Sequence, residues 1–369
     1  MTKMRVIVVG GFLGAGKTTL LAQAAKHFAR QGKRVGIITN DQAADLVDTR
    51  LLAGLGVAVG EVAGGCFCCR FEDLERTASS LLKDNRPDVL LSEPVGSCVD
   101  ISATVLQPMK RHWGEWAEIS PFSVLADARL ADQILGAGLR SNFPDSVSYI
   151  IEKQFEEADC IVVNKADLLS QEAMAALKRK IASAWGAHIL EMSALNDRGV
   201  AEWVEMVSGP PGGGGKILDV DYDLYASGEA ELGWLNASIS LTSREETDWN
   251  AFARDLIGRI QSDLAGRSAE IGHVKLLLSN LAGQVALNVT GMDEKPSVRG
   301  GIPACAGVTT LVVNARARVE PEVLKAIVEH SLEAAASEAI TFSESGLRSF
   351  KPAYPRPTHR MAEIVPPTA

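Results

Sequence analysis

The string Gly11-Phe12-Leu13-Gly14-Ala15-Gly16-Lys17-Thr18 constrains this chain more than any other stretch. It matches G-x-x-x-x-G-K-[ST] in full, follows the apolar run Val6-Ile7-Val8-Val9, and opens a helical segment. That is the context the pattern needs. Gly11, Gly14 and Gly16 let the backbone curl until its N–H groups converge on phosphate oxygens. Lys17 adds a point charge at the β/γ-phosphates, and the Thr18 hydroxyl can ligate Mg²⁺. Ala15 and Thr19 complete the binding stretch. A glycine-rich turn with a chance lysine is the alternative, and the strand before it and the helix after it weigh against that. The motif predicts nucleotide binding, with Lys17 and Thr18 also serving catalysis.

A phosphate loop of this type needs a sheet around it, and the chain supplies one. Short apolar runs at 5–9, 34–39, 57–62, 88–92, 122–125, 160–163 and 188–192 alternate with helical segments such as 19–30, 71–83 and 171–184. Several runs are nearly continuous Val/Ile/Leu, as in strands buried on both faces of a parallel sheet. The expected architecture is α/β, a doubly wound, mostly parallel sheet over residues 1–208. Gly209-Pro210-Pro211 followed by four Gly reads as a linker over 209–218. Beyond it the order β-α-β-β-β-α predicts a smaller C-terminal α+β domain at 219–345. The last stretch, 346–369, is a Pro-rich tail expected to be extended or frayed.

Composition narrows the function classes. With 46% hydrophobic and 22% charged residues among 369, wholesale disorder and coiled coil are excluded. A formal net charge of -9 gives no general footprint for nucleic acid or anionic membrane, so neither is expected as a partner. Lys3 and Arg5 before an apolar run mimic a short leader, but the run breaks at Gly10-Gly11. No run of about 18 apolar residues occurs, and the reading is cytoplasmic.

The base is read from Asn164-Lys165-Ala166-Asp167, directly after the run at 160–163. Ligands in such sheets sit in the loops at the carboxyl ends of strands. The Asp167 carboxylate can accept from guanine N1 and N2, whereas adenine presents the opposite pattern. Asn164 can tie the loop, and the Lys165 stem can lie along the ring. Ser193-Ala194-Leu195 can offer a backbone N–H to guanine O6. Asp167 is equally placed to cap a helix starting near Ser170. Together with the phosphate loop these residues favour GTP over ATP.

Asp41 and Glu93 follow the second and fourth runs. Carboxylates there face the phosphates and can hold Mg²⁺ or order the attacking water, unless they merely cap helices. Gly96 can give a backbone N–H to the γ-phosphate.

Gly64-Gly65-Cys66-Phe67-Cys68-Cys69 places three thiols within four residues. Such a set can hold one soft ion, Zn²⁺ or Co²⁺ tetrahedrally, or Cu(I). With no second Cys pair in sequence, an open site completed by water or a carboxylate is expected, with Glu61 and Asp41 as candidates. Buried small hydrophobes or redox sensors are the alternatives. Cys98, Cys160 and Cys305 read as buried small hydrophobes.

Taken together, these residues resemble the CobW-like branch of the CobW/HypB/UreG GTPases. The likeness rests on residues 11–19, Gly64–Cys69, Glu93-Pro94-Val95-Gly96, Gln154, Ala158-Asp159 and Asn164–Asp167. It departs from the family pattern at Asn40-Asp41-Gln42-Ala43 and at Pro94-Val95, and has no His-rich tract. The resemblance implies a P-loop GTPase fold and a metallochaperone that uses GTP hydrolysis to deliver metal to a client metalloenzyme. It also implies that Cys66, Cys68 and Cys69 hold Zn²⁺ or Co²⁺ near the nucleotide. A GTP-gated conformational chaperone for a cofactor-dependent enzyme, such as a corrinoid protein, is a second reading, and a redox-sensing GTPase a third. Either a monomer or a homodimer is compatible.

Overall fold

A computed structural model describes residues 3–40, 47–53, 56–135 and 144–366. The chain divides into two compact units. The first holds the early strands, Leu52–Gly228 and Tyr354–Ala369; the second holds Glu229–Ala353 and residues 47–51.

Among the described residues the first unit holds eight strands: β1 Met4–Gly11, β2 Val35–Asn40, β3 Ala58–Val62, β4 Val89–Glu93, β5 Ala117–Ile119, β6 Ser123–Asp127, β7 Cys160–Asn164 and β8 His188–Glu191. Their order is β3-β2-β4-β1-β6-β7-β8, with β5 beside β1, and every described pairing is parallel. β2, β4, β6 and β7 are buried along their whole length. That is why they read as unbroken apolar runs. Parallel pairing puts all their carboxyl ends on one edge, so Gly11, Asn40, Glu93 and Asn164 emerge side by side.

Helix α1, Lys17–Arg30, buries Leu20, Leu21, Ala24, Ala25 and Phe28. These join Ile7, Val9, Ile37 and Val162 in one core. Helix α2 is Val47–Ala53, and helix α3 is Phe71–Asn85, which buries Phe71, Leu74, Ala78 and Leu81.

The glycine-proline stretch after Ser208 lies against the first unit rather than hanging free. Gly214 and Gly215 donate to Asp159 at 2.7 and 3.0 Å, Gly212 donates to Ile119 O, and Gln107 donates to Gly214 O. A Cβ on Gly213 would fall 1.9 Å from Ser120 O, so only glycine allows that approach.

The second unit is an antiparallel sheet of β9 Gly233–Thr247, β10 Ile271–Asn280, β11 Gly283–Val289, β12 Ser297–Gly301, β13 Cys305–Ala317 and β14 Ile340–Phe350, ordered β12-β11-β10-β13-β9-β14. Leu235, Ala237, Ile239 and Leu241 share one face of β9, and they pack with helices Trp249–Gly266 and Pro321–Ala335. The expected β-α-β-β-β-α order lacked β12 and β14. Both are edge strands of mixed composition, for which periodicity is weak. β14 also carries ordered structure to Phe350, past the residue-346 start given to the tail. Beyond it, residues 354–366 are extended but held to the first unit by hydrogen bonds.

Candidate functional site

Gly11, Gly14 and Gly16 all take positive φ, at 125°, 77° and 97°. At Gly16 a Cβ would also meet Asn164 Nδ2 at 2.4 Å. The loop is therefore closed to other residues there by both backbone and space. Lys17 Nζ donates to Gly11 O at 2.8 Å and Phe12 O at 3.4 Å, arching over the loop it would share with phosphate. The Thr18 hydroxyl meets both oxygens of buried Glu93, at 3.0 and 3.1 Å. A hydroxyl and a carboxylate facing each other at the mouth of the loop are the donor set Mg²⁺ takes. Asp41 lies outside the described residues. Gly96 lies against the loop: a Cβ there would be 3.0 Å from both Lys17 Nζ and Leu13 N.

On the other side, Asn164 joins two loops. Its Nδ2 donates to Ala15 O at 2.8 Å and its Oδ1 accepts from Ala194 N at 2.9 Å. Ser193 Oγ donates to Asp167 Oδ1 at 2.5 Å, which aims the exposed carboxylate. Ser170, not Asp167, caps the following helix, accepting from Ala173 N. Lys165, with φ 59°, pairs with Asp127 at 2.5 Å. Ser193 N donates to Arg198 O and Ala194 N to Asn164 Oδ1, and Leu195 beside them is 52% exposed.

The thiol turn follows β3. Gly64 at φ 81° and Gly65 at φ 158° turn the chain. Cys69 N and Arg70 N then both donate to Cys66 O at 3.0 and 2.9 Å, winding the turn into α3. Cys66, Cys68 and Cys69 bring their sulfurs within 4.8 Å of one another. Cys66 and Cys68 are buried and Cys69 half-buried. Cys68 to Cys69 is 3.8 Å, matching the roughly 3.8 Å sulfur–sulfur edge expected for a tetrahedron with Zn–S near 2.3 Å. Cys66 to Cys68 is 2.8 Å, so that pair must open by about 1 Å to admit an ion. Hydrogen bonds from Cys68 first, then from Cys69 and Cys98, hold the Cys66 thiol well below its ordinary range. The same contacts, with burial, push Cys68 up, and Cys69 is raised to about 11 by its bond to Cys66. The cluster therefore favours negative charge on Cys66 over Cys68 and Cys69. Glu61 is not in the cluster.

Two features escaped the sequence. Cys98, read as a buried hydrophobe, hydrogen-bonds through its side chain with Cys66 and Cys68. The C-terminal segment covers the turn: Thr358 N donates to Cys68 O at 2.8 Å and Arg356 N to Cys69 Sγ at 3.2 Å. Neither has a local signal, since both join residues distant in the chain.

With that geometry described, residues 5–188 match the model of the CobW/HypB/UreG nucleotide-binding domain. This chain's nucleotide-binding domain belongs to the CobW/HypB/UreG family. Within that family, the zinc chaperone YeiR of Escherichia coli is 30% identical over 182 residues, covering 47% of this chain and 50% of YeiR. The zinc chaperone CobW of a Sinorhizobium species is 30% identical over 207 residues, covering 49% of this chain and 56% of that protein. The chain thus spans about half the length of these curated relatives. Among solved structures, the hydrogenase maturation factor HypB of Archaeoglobus fulgidus aligns with TM-score 0.40 at 20% identity, over 56% of this chain and 90% of HypB. Among the described residues no helix is long and apolar enough to cross a membrane.

Proposed function

We propose that this protein is a GTP-hydrolysing metallochaperone that loads zinc on Cys66, Cys68 and Cys69 and hands it to a client metalloprotein. The observation that carries the reading is the convergence of three sulfurs within 4.8 Å on a turn clamped by Asn40, the last residue of β2. Zn²⁺ and Co²⁺ suit thiolates equally well in chemistry; the names of the curated relatives favour zinc.

Lys17 and the loop N–H groups bind the β- and γ-phosphates, and Gly96 contributes an N–H to the γ-phosphate. Thr18 and Glu93 are the residues to hold Mg²⁺, with Asp41 as a further carboxylate. When bound, that ion neutralises charge on the β- and γ-oxygens. Asn164, Lys165, Asp167 and Leu195 select guanine. Among the described residues no arginine is assigned to the γ-phosphate, and slow turnover is expected until a client supplies one.

Asn40 and Gly96 lie where a γ-phosphate orders its surroundings, and both lead into the thiol region. If metal and Mg·GTP favour the same ordered state, each raises the other's affinity by the same factor. Hydrolysis then weakens the metal and allows transfer. The test is zinc affinity by chelator competition with Mg·GTP, Mg·GDP and no nucleotide. Affinity highest with GTP is expected; equal affinity in all three conditions overturns the reading.

A further inference from the structure

We infer that Asp100 and Arg360 form a latch that fastens the C-terminal strap over the thiol turn, and that the loop following Gly96 opens it when the nucleotide changes. The inference rests on the nucleotide and metal readings above. It adds to them two positioning residues and the segment they control.

The strap is an extended stretch with few attachments. Pro355 and Pro357 favour the extended backbone. Arg356, Thr358 and Arg360 are exposed, so a handful of hydrogen bonds and the edge contact of His359 with Phe71 hold the stretch down. At the thiol turn these bonds are Arg356 N to Cys69 Sγ at 3.2 Å, Thr358 N to Cys68 O at 2.8 Å and Thr358 Oγ1 to Cys69 O at 3.3 Å. Met361 N reaches Ala103 O at 3.0 Å. The strap thus lies over Cys69, the half-buried thiol of the cluster. A segment held by a few exposed bonds opens locally without unfolding the rest.

Arg360 makes the charged attachment. Its Nε donates to Asp100 Oδ2 and its Nη2 to Leu218 O, both at 2.7 Å. Asp100 is 1% exposed, accepts a second hydrogen bond from Tyr222 OH at 2.8 Å, and has φ 61°. A buried carboxylate keeps its charge only while a cation and hydrogen bonds compensate it. A residue other than glycine stays left-handed only where its surroundings fix it. Arg360 therefore loses its partner once the backbone at Asp100 relaxes.

That backbone runs directly from the phosphate loop. Gly96 lies against Lys17 Nζ and Leu13 N, and Ser97, Cys98 and Val99, which lead on to Asp100, are all buried. Gln154 Nε2 donates to both Gly96 O and Cys98 O, at 3.0 and 2.9 Å, so the two carbonyls move together. A close-packed segment passes displacement on rather than absorbing it. With a γ-phosphate on Gly96 the segment is held and the strap fastened. Hydrolysis removes that hold, Asp100 shifts, and Cys69 is uncovered for transfer.

The test is hydrogen exchange of the backbone N–H groups of residues 354–366, with alkylation of Cys69 by iodoacetamide, in zinc-free full-length protein. Both are read with Mg²⁺ and a non-hydrolysable GTP analogue and again with GDP, for wild type, Arg360→Ala and Arg360→Lys. In wild type the strap is expected to exchange, and Cys69 to alkylate, faster by about tenfold or more with GDP. Arg360→Ala should show the fast rates in both nucleotides. Arg360→Lys keeps the charge and should recover part of the nucleotide dependence; a contact that only stabilised the fold would move both states alike. Wild-type rates that ignore the nucleotide, or an Arg360→Ala protein that behaves as wild type, overturn the latch. Should Arg360→Ala fail to bind a fluorescent guanine nucleotide, the wild-type contrast and Arg360→Lys decide. Neither readout uses metal, so a chain that binds no zinc in chelator competition sinks the metallochaperone reading without deciding the latch.

Discussion

Asn40 Oδ1 accepts the Phe67 N–H at 2.8 Å, joining the last residue of the second strand to the middle of the thiol turn. The same side chain donates to Gly65 O at 2.8 Å and Val62 O at 2.9 Å. Asn40 directly precedes the position where a nucleotide switch is expected. Replacing it with Ala leaves a buried N–H at Phe67 without a partner and costs about 1–3 kcal/mol. Thermal unfolding reads that loss. The sharper readout is coupling: in Asn40→Ala, the ratio of zinc affinities with and without Mg·GTP falls toward one. A ratio equal to that of wild type would show that the clamp carries no coupling.

Base selection is separately testable at Asp167. Its carboxylate can accept two hydrogen bonds from guanine N1 and N2. An amide at that position presents one donor and one acceptor, which suits xanthine. Charge-assisted hydrogen bonds are worth about 1.5–3 kcal/mol each, so Asp167→Asn is expected to weaken GTP by about a hundredfold or more. It should bind XTP better than GTP. Ser193→Ala, which removes the hydroxyl aiming the carboxylate, has a smaller effect in the same direction. Nucleotide titrations of both variants check this; an unchanged preference for GTP in Asp167→Asn would remove Asp167 from base recognition.

What the sequence made legible was local. The phosphate loop, the thiol string and Asn164-Lys165-Ala166-Asp167 each declare themselves within a few residues, because backbone turns and ligand spacing are set over that distance. The parallel sheet was legible because β2, β4, β6 and β7 are buried on both faces and so carry continuous apolar runs. Partners separated along the chain were not legible. The segment around Arg356 and Thr358 carries no sign in its own sequence that it hydrogen-bonds to Cys69 and Cys68. The Gly-Pro stretch read as loose, yet Asp159 and Ile119 hold its backbone. Nothing in the composition of residues 212–215 announces those acceptors.

Metal binding should be strongly pH-dependent. Ligating thiols must be thiolates. Cys66 is held below the ordinary thiol range, while Cys68 is pushed up and Cys69 lies at about 11. At neutral pH, then, Cys68 and Cys69 carry protons that zinc must displace. Each raised value makes binding weaker as pH falls, and the dependence persists upward until the pH passes those values. Affinity should rise with a slope of at least about two in log K per pH unit between pH 6 and 8. Calorimetry in buffers of different ionisation enthalpy counts the protons released. Release of fewer than one proton per zinc contradicts this assignment.

The C-terminal segment gives the last test, because it touches the site through backbone as well as side chain. Arg356 N donates to Cys69 Sγ at 3.2 Å, and Thr358 N to Cys68 O at 2.8 Å. Arg360 Nε meets Asp100 at 2.7 Å and its guanidinium also donates to Leu218 O, which anchors the strap. An N–H aimed at a sulfur stabilises the thiolate and so holds the metal on Cys69, the most exposed thiol of the cluster. Arg356→Pro removes that N–H and keeps the chain extended, whereas Arg356→Ala keeps the N–H and removes only the guanidinium. The loss of one hydrogen bond to a charged acceptor, about 1.5–3 kcal/mol, predicts zinc release faster by roughly tenfold or more in Arg356→Pro. Arg356→Ala should release zinc at the wild-type rate. Stopped-flow transfer to a chromophoric chelator measures both. Equal rates in the two variants would mean that the backbone contact does not hold the ion, and that the strap acts at Asp100 alone.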